Sequence, residues 1–240
     1  MVTDPHTCTR VHEIADGIYR ISTPVPLPGG QAFSFNQYLV VDDEPLLFHT
    51  GPRQLFAAVR DAMAAVMPVE RLRYVGLSHV EADECGSMNL WLQAAPAAVP
   101  LCGSLAAMVS MNDLADRAPR ALADGETLRL GRHELQWFDT PHVPHGWECG
   151  LAMERTTRTF LCGDTRSLTH AMIDSPVVAR DSGSGFTTTN AFGISPASSS
   201  GRRTTATSRT AGCVNSSASS SAGATCIPLY LISSFVRSTM

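Results

Sequence analysis

His79, Glu81 and Asp83 stand at alternate positions in the stretch His79-Val80-Glu81-Ala82-Asp83-Glu84-Cys85-Gly86, directly after the apolar run Leu72-Arg73-Tyr74-Val75-Gly76-Leu77-Ser78. On an extended segment alternate side chains project to one side, so the three can converge on one point; on a helix Glu81 would point away from His79. A bend at the end of a strand is therefore the natural place for them. One imidazole and several carboxylate oxygens form a harder donor set than the Cys or all-His sets typical of zinc, and one that suits iron or manganese. The plainer account makes Glu81, Asp83 and Glu84 a solvated acidic loop, with Asp83 capping a helix that begins near Gly86.

Two more strand ends carry comparable residues. The run Leu135-Gln136-Trp137-Phe138 leads into Asp139-Thr140-Pro141-His142-Val143-Pro144-His145-Gly146-Trp147-Glu148, and Thr159-Phe160-Leu161-Cys162-Gly163 stops at Asp164. Metal-type side chains at His79, His145 and Asp164 would thus leave three separate strand ends and could meet at one rim of a sheet, which favours a metal site over an acidic loop. His142 is the alternative to His145. His49, at another strand end, reads as a group that orients a ligand or, preferred, as a satisfied core histidine. Cys85 and Cys149 flank the site without a partner arranged for nucleophilic catalysis.

The elements that must position these residues follow from periodicity and turn chemistry. Two short strands flank Asp16-Gly17, and a hairpin brackets Asp42-Asp43-Glu44. Leu55, Val59, Ala62, Met63, Val66 and Met67 fall at helical spacing up to Pro68, and a second helix runs from Met88 to the stop at Pro96. A strand at 99–103 precedes a helix at 104–115, which Ser104 can cap and in which Met108 and Met111 fill the core. Strands at 127–130 and 134–138 surround Gly131-Arg132, with His133 exposed in the turn; two more run at 150–154 and 159–164.

At 240 residues the chain holds one substantial core, or one domain plus a tail. A formal net charge of -4 offers no basic surface for nucleic acid or an anionic membrane. Every basic side chain apart from histidine is Arg, as GC-rich coding produces. The odd set of 7 Cys, without paired spacing, reads as the reduced thiols of a cytoplasmic protein. The N-terminus lacks the pattern of a signal peptide, and 227–236 is too short for a membrane span.

Taken together, these features resemble the metallo-β-lactamase superfamily, and within it the oxygen-binding diiron domain of flavodiiron proteins, over residues 10–170. That branch carries His-x-Glu-x-Asp where the zinc hydrolases carry His-x-His-x-Asp-His, and then a His with eighteen residues between it and an Asp; His145 and Asp164 stand so here. The resemblance implies an α/β (α+β) fold, a four-layer αβ/βα sandwich. It implies a first iron on His79, Glu81, His145 and Asp164 and a second on Asp83 and Asp164, with zinc or manganese as the other metals. Glu84 departs from the pattern, standing where the branch usually has His, and no His follows His170.

From about residue 180 the composition changes: acidic residues stop at Asp181, and 24 of the last 60 residues are Ser or Thr. Such a segment buries too little apolar surface to offset its ordering entropy. The division expected is a metal domain over 1–178 and a Ser/Thr-rich, disordered tail over 179–240, for which a frameshift accounts better than a regulatory role. The leading function is a non-haem diiron protein that binds, reduces or senses dioxygen or nitric oxide. Its electrons come from a separate donor protein, no flavin domain is visible, and a homodimer is compatible. The rivals are a zinc hydrolase of the same fold acting on an ester, thioester or lactam, and an inactive truncated or frameshifted member.

Overall fold

Leu46, Leu47 and Phe48 show how the chain builds layers. Successive side chains of a strand point to opposite faces, and here Leu46 and Phe48 enter one core while Leu47 enters another. The same alternation separates Tyr38 and Val40 from Leu39, Tyr74 from Val75, and Leu101 from Cys102. Such strands are apolar on both faces, so the sheet they form has to be covered twice.

The computed structural model describes residues 2–4, 6–26, 32–143, 145–163, 187–190 and 192–195. The first sheet runs β1 (Val2–Asp4), β2 (Thr9–Ala15), β3 (Ile18–Pro26), β4 (Ala32–Val40), β5 (Leu46–Phe48), β6 (Tyr74–Gly76), β7 (Val99–Gly103) and β8 (Arg120–Leu122) in spatial order. It is antiparallel up to β5 and parallel from β5 to β8. Parallel neighbours need crossover connections, supplied by α1 (Phe56–Ala64), by α2 (Ala82–Cys85) with α3 (Met88–Ala94), and by α4 (Ser104–Ala106) and α5 (Asn112–Leu114) around a π turn at Ala107–Met111. The second sheet has the order β13 (Thr187–Asn190), β12 (Thr159–Cys162), β11 (Gly150–Glu154), β10 (Glu134–Asp139), β9 (Thr127–Arg129). A further strand, β14 (Phe192–Ser195), pairs with β4.

The helices cover one face of the first sheet, where Val59, Met63, Trp91, Leu92 and Met111 pack on Leu39, Leu47 and Val75. The two sheets enclose the second core, with Ile18, Phe48 and Leu101 meeting Leu135, Trp137 and Leu161. Each such buried side chain contributes about 1.5–3 kcal/mol of hydrophobic stabilisation. Leu151, Phe160 and Cys162 form a small cluster on the outer face of the second sheet. Helix, sheet and sheet thus give three layers of the sandwich, and no helix covers that outer face among the described residues.

Several elements differ from the sequence expectation for physical reasons. His133 is fully buried rather than exposed, because its turn folds between the sheets. Ser104 does not cap its helix; its hydroxyl donates to the carbonyl of Leu122 at 2.9 Å, tying the helix to β8. Met111 is buried, but Met108 is 70% exposed. The π turn between them makes a three-residue step fall well short of a full turn, so the two methionines leave a common face. Cys85, Cys102, Cys149 and Cys162 are in no disulfide, but Cys8 is in one, unlike the reduced set expected. β13 and β14 fall within the stretch expected to be a tail; the boundary at 178 and the rest of 179–240 lie outside the described residues.

Candidate metal centre

The site forms where β6, β10 and β5 end at the same edge of the molecule. β6 delivers Ser78 and His79, both buried, and the chain stays extended at Glu81, with φ −138° and ψ 161°, before turning into α2. Asp83 and Glu84 therefore sit on a helical turn, not on the extended segment. Asp83 does not cap: the N-cap position is Glu81, and no side chain bonds there. This bend divides the carboxylates into two groups rather than gathering all of them on one point.

In the first group, Glu81 Oε2 lies 3.1 Å from His79 Nε2 and 3.3 Å from His145 Nε2. The two imidazoles meet edge to face with centroids 4.6 Å apart. One ligand atom from each of these three residues falls within 4.8 Å of the others, as does one from each of Glu81, Asp83 and Glu84 in the second group. Glu81 belongs to both. Glu84 is fully buried, whereas Glu81 and His145 keep about half of their side chains open to solvent, at 48% and 51%.

Neighbouring turns hold this bend in place. After β5 the chain turns through His49, with φ +66°, and Gly51, with φ +75°. The turn aims two N–H groups at α2: Thr50 N donates to the Glu84 carbonyl at 2.8 Å and Gly51 N to that of Asp83 at 3.0 Å. Val80 N donates to Glu148 Oε1 at 3.1 Å, and Gly150 N to the Ser78 carbonyl at 2.8 Å, joining the His79 and His145 loops. Gly163 ends β12 against the site; a Cβ there would lie 2.4 Å from Ser78 Oγ and 3.1 Å from Glu84 Oε1.

Ser78 Oγ is 3.0 Å from His79 Nδ1 and 3.0 Å from His49 Nε2. One hydroxyl has one proton, so it donates to one ring and accepts from the other. Burial, with a smaller contribution from His79, pushes the His49 pKa down to about 3, which keeps that ring neutral. With His79 presenting Nε2 to a metal, Nδ1–H donates to Ser78, Ser78 donates to His49 Nε2, and the His49 proton sits on Nδ1. His49, read from the sequence as a core residue, is thus one hydroxyl away from a ligand.

The donors fit a cation. Asp83 is buried, and its Oδ2 has no hydrogen-bond partner among the described residues; a buried carboxylate oxygen in that state is costly until a cation or proton meets it. His142 is exposed, with φ +63°, and belongs to neither group. Asp164 lies outside the described residues. Cys85 Sγ donates to the Glu81 carbonyl at 3.2 Å, and burial with the charge of Glu84 pushes its thiol up to about 12, so it is no nucleophile. Ser78, Glu148 and Gly163 carry no metal-type signature in the sequence; a small polar residue directly before a strand-end His was the available clue.

Known proteins share the fold that carries these residues. The chain is 27% identical over 109 residues to rubredoxin-oxygen oxidoreductase from Megalodesulfovibrio gigas, a stretch covering 45% of this chain and 27% of that one. Among solved structures, rubredoxin oxygen:oxidoreductase from Desulfovibrio gigas superposes with a TM-score of 0.58 at 21% identity, over 65% of this chain and 41% of that one. A flavodiiron core from Synechocystis gives 0.56 at 22% identity, over 65% and 41%. At this identity the structural likeness shows the fold: the sandwich of flavodiiron cores. This chain therefore spans less than half the length of each of these relatives. The family model described as ODP family beta lactamase matches residues 33–192, from β4 to the first residue of β14. That match takes in the first sheet from β4 onward, the second sheet and both halves of the candidate metal centre, and the chain belongs to this family.

Proposed function

We propose that this chain is a non-haem iron protein of the diiron type that binds or reduces dioxygen or nitric oxide. The observation that carries the proposal is the meeting of His79, Glu81 and His145 around one point, with carboxylates of Asp83 and Glu84 beside it. Two neutral imidazole nitrogens and an anionic oxygen hold Fe(II) well. When bound, iron supplies the redox chemistry and the open coordination positions that take up a diatomic gas. His79 is held by the Ser78 and His49 chain, so that its Nε2 rather than its Nδ1 faces the centre. Glu148, through Val80 N–H, keeps the two ligand loops together. The half-open side chains of Glu81 and His145 leave an approach for a small ligand. The names of the relatives support oxygen as the substrate and a rubredoxin-type protein as the separate electron donor. The anionic Glu81 favours this reading over a zinc hydrolase, because a carboxylate in place of a neutral nitrogen lowers the Lewis acidity on which metal-bound hydroxide depends.

The test is anaerobic loading with Fe(II), followed by measurement of dioxygen and nitric oxide consumption with a chemical reductant. Consumption should scale with iron and disappear in His79→Ala. An iron-loaded protein that consumes neither gas, with a zinc-loaded one that hydrolyses a chromogenic ester or lactam, would reverse the assignment.

A further inference from the structure

The geometry points to a centre whose two halves select different cations: the His79, Glu81 and His145 half takes a transition metal such as Fe(II), and the Glu81, Asp83 and Glu84 half takes a hard divalent cation, Mn(II) or Mg(II), through oxygen alone. This inference rests on the metal-centre reading above and adds the selectivity of the second position. Both nitrogen donors group with Glu81 in the first half. His79 Nε2 and His145 Nε2 both approach Glu81 Oε2, at 3.1 and 3.3 Å, and their rings contact each other. On the other side stand three carboxylates whose oxygens lie within 4.8 Å of one another; His79 Nε2, a donor of the first group, comes to 3.8 Å from Glu84 Oε2, so the two halves adjoin along this edge.

The two inner carboxylates are not a solvated acidic face. Asp83 is 7% exposed and Glu84 0%. Asp83 Oδ2 is buried and has no hydrogen-bond partner among the described residues. The backbone fixes both residues, since the carbonyls of Asp83 and Glu84 accept from Gly51 N and Thr50 N. The cluster is therefore pre-formed, and an unengaged buried oxygen belongs to it. Glu84 stands where the resembled branch usually has His, so the nitrogen that would draw a second transition metal is replaced by an oxygen. Oxygen-only donor sets favour Mg(II) and Mn(II), whereas imidazoles favour Fe(II), Co(II) and Zn(II). Glu81, common to both groups, couples the two positions.

The test uses the full-length chain, stripped of metal and kept anaerobic, and titrates it with Mn(II) followed by electron paramagnetic resonance and with Co(II) followed by visible absorption. The unchanged protein should bind both ions together. His145→Ala should lose Co(II) binding and keep Mn(II) binding. Asp83→Asn and Glu84→Gln, which preserve shape, should weaken Mn(II) by about tenfold or more and leave the Co(II) position filled. Glu84→His should move the second position toward Co(II) by a similar factor. Circular dichroism and thermal unfolding of each metal-free variant establish that it folds, and the gain of Co(II) in Glu84→His cannot arise from misfolding. Loss of Mn(II) and Co(II) together in both His145→Ala and Asp83→Asn would overturn the inference, as would an unchanged preference in Glu84→His. Co(II) binding without Mn(II) binding in the unchanged protein overturns this inference alone; failure to bind either ion removes the metal-centre reading with it.

Discussion

Both ends of the two-sheet sandwich bring a histidine against buried glutamate, and they do opposite things with it. At the far end, His133 Nδ1 lies 3.2 Å from Glu154 Oε1, and both side chains are buried. Glu154 Oε1 also accepts from Glu134 N at 3.3 Å and Thr156 N at 2.9 Å, while Oε2 accepts from Thr157 N at 2.7 Å and from the Thr157 hydroxyl. Four turns meet there: Asp42 Oδ2 accepts from His133 N at 2.7 Å, Glu44 N donates to the Leu130 carbonyl at 2.7 Å, and Arg132 pairs with Asp16 at 2.8 Å. Gly131 adopts φ +140°, and a Cβ there would lie 2.1 Å from Asp42 Oδ1. At the metal end the backbone is just as well tied, yet Asp83 Oδ2 is left without a hydrogen-bond partner among the described residues. A buried carboxylate whose oxygens are all engaged is a structural clamp; one left over in a cluster of donors is waiting for a cation.

The largest expected effect is at the far end. Glu154→Ala leaves three backbone N–H groups, the Thr157 hydroxyl and His133 without their partner, and should cost about 3–5 kcal/mol, read as the urea unfolding free energy of metal-free protein. Asp83→Asn in the same assay should be neutral or stabilising, because it removes a buried charge that lacks a hydrogen-bond partner. If the two variants destabilise alike, the contrast between the ends is wrong.

Acid should separate the ends next. Burial alone would raise the Glu154 pKa, but the hydrogen bonds from His133, Thr157 and Thr156 outweigh it and hold the value down to about 2. Its contribution is therefore complete above the ordinary carboxylate range, near 4.5, and is lost as pH falls toward 2. His49 acts higher. Kept neutral in the fold by burial, it favours unfolding as soon as pH drops below the ordinary value of 6.5 and continues to do so toward 3. Stability of the metal-free protein measured against pH should fall in both windows, with His49→Gln flattening the upper one and Glu154→Gln the lower.

A smaller and more local effect is expected from Ser78→Ala. Removing the hydroxyl between His49 and His79 should weaken metal binding at the first position by about 10–100-fold. Titration of the metal-free variant checks this; unchanged affinity would mean that the hydroxyl does not orient His79. The smallest effect belongs to the exposed Arg132 and Asp16 pair, with side chains 52% and 74% open. Arg132→Ala should change unfolding free energy by less than about 1 kcal/mol, so the far end owes its strength to Glu154 and not to its surface charges.

The legibility of this molecule in its sequence follows the same division. Continuous apolar runs such as Leu46 to Phe48 announced strands that are apolar on both faces, and the spacing of His79 and Glu81 announced a ligand edge because both lie on an extended segment. Asp83 was misplaced onto that segment, since no residue type marks where the chain bends into α2. β8 lacked a signal because Arg120-Ala121-Leu122 is too short and mixed to show a period. His133 looked exposed because a turn between polar neighbours ordinarily is, and nothing local reveals that four turns close over it. Hydroxyls such as Ser78 carry only a faint mark, a place directly before a strand-end His, since their role arises when two distant histidines meet around them.

The central claim concerns the metal end, which should bind a cation as part of the folded structure. The most direct measurement is the unfolding free energy with and without saturating Fe(II), under anaerobic conditions, for the unchanged protein and for His79→Ala. A ligand present at about 100 times its dissociation constant should stabilise the unchanged protein by about 2.7 kcal/mol, and the variant should gain little. Equal gains in both proteins, or no gain in either, would contradict the assignment of His79, Glu81 and His145 as a metal site.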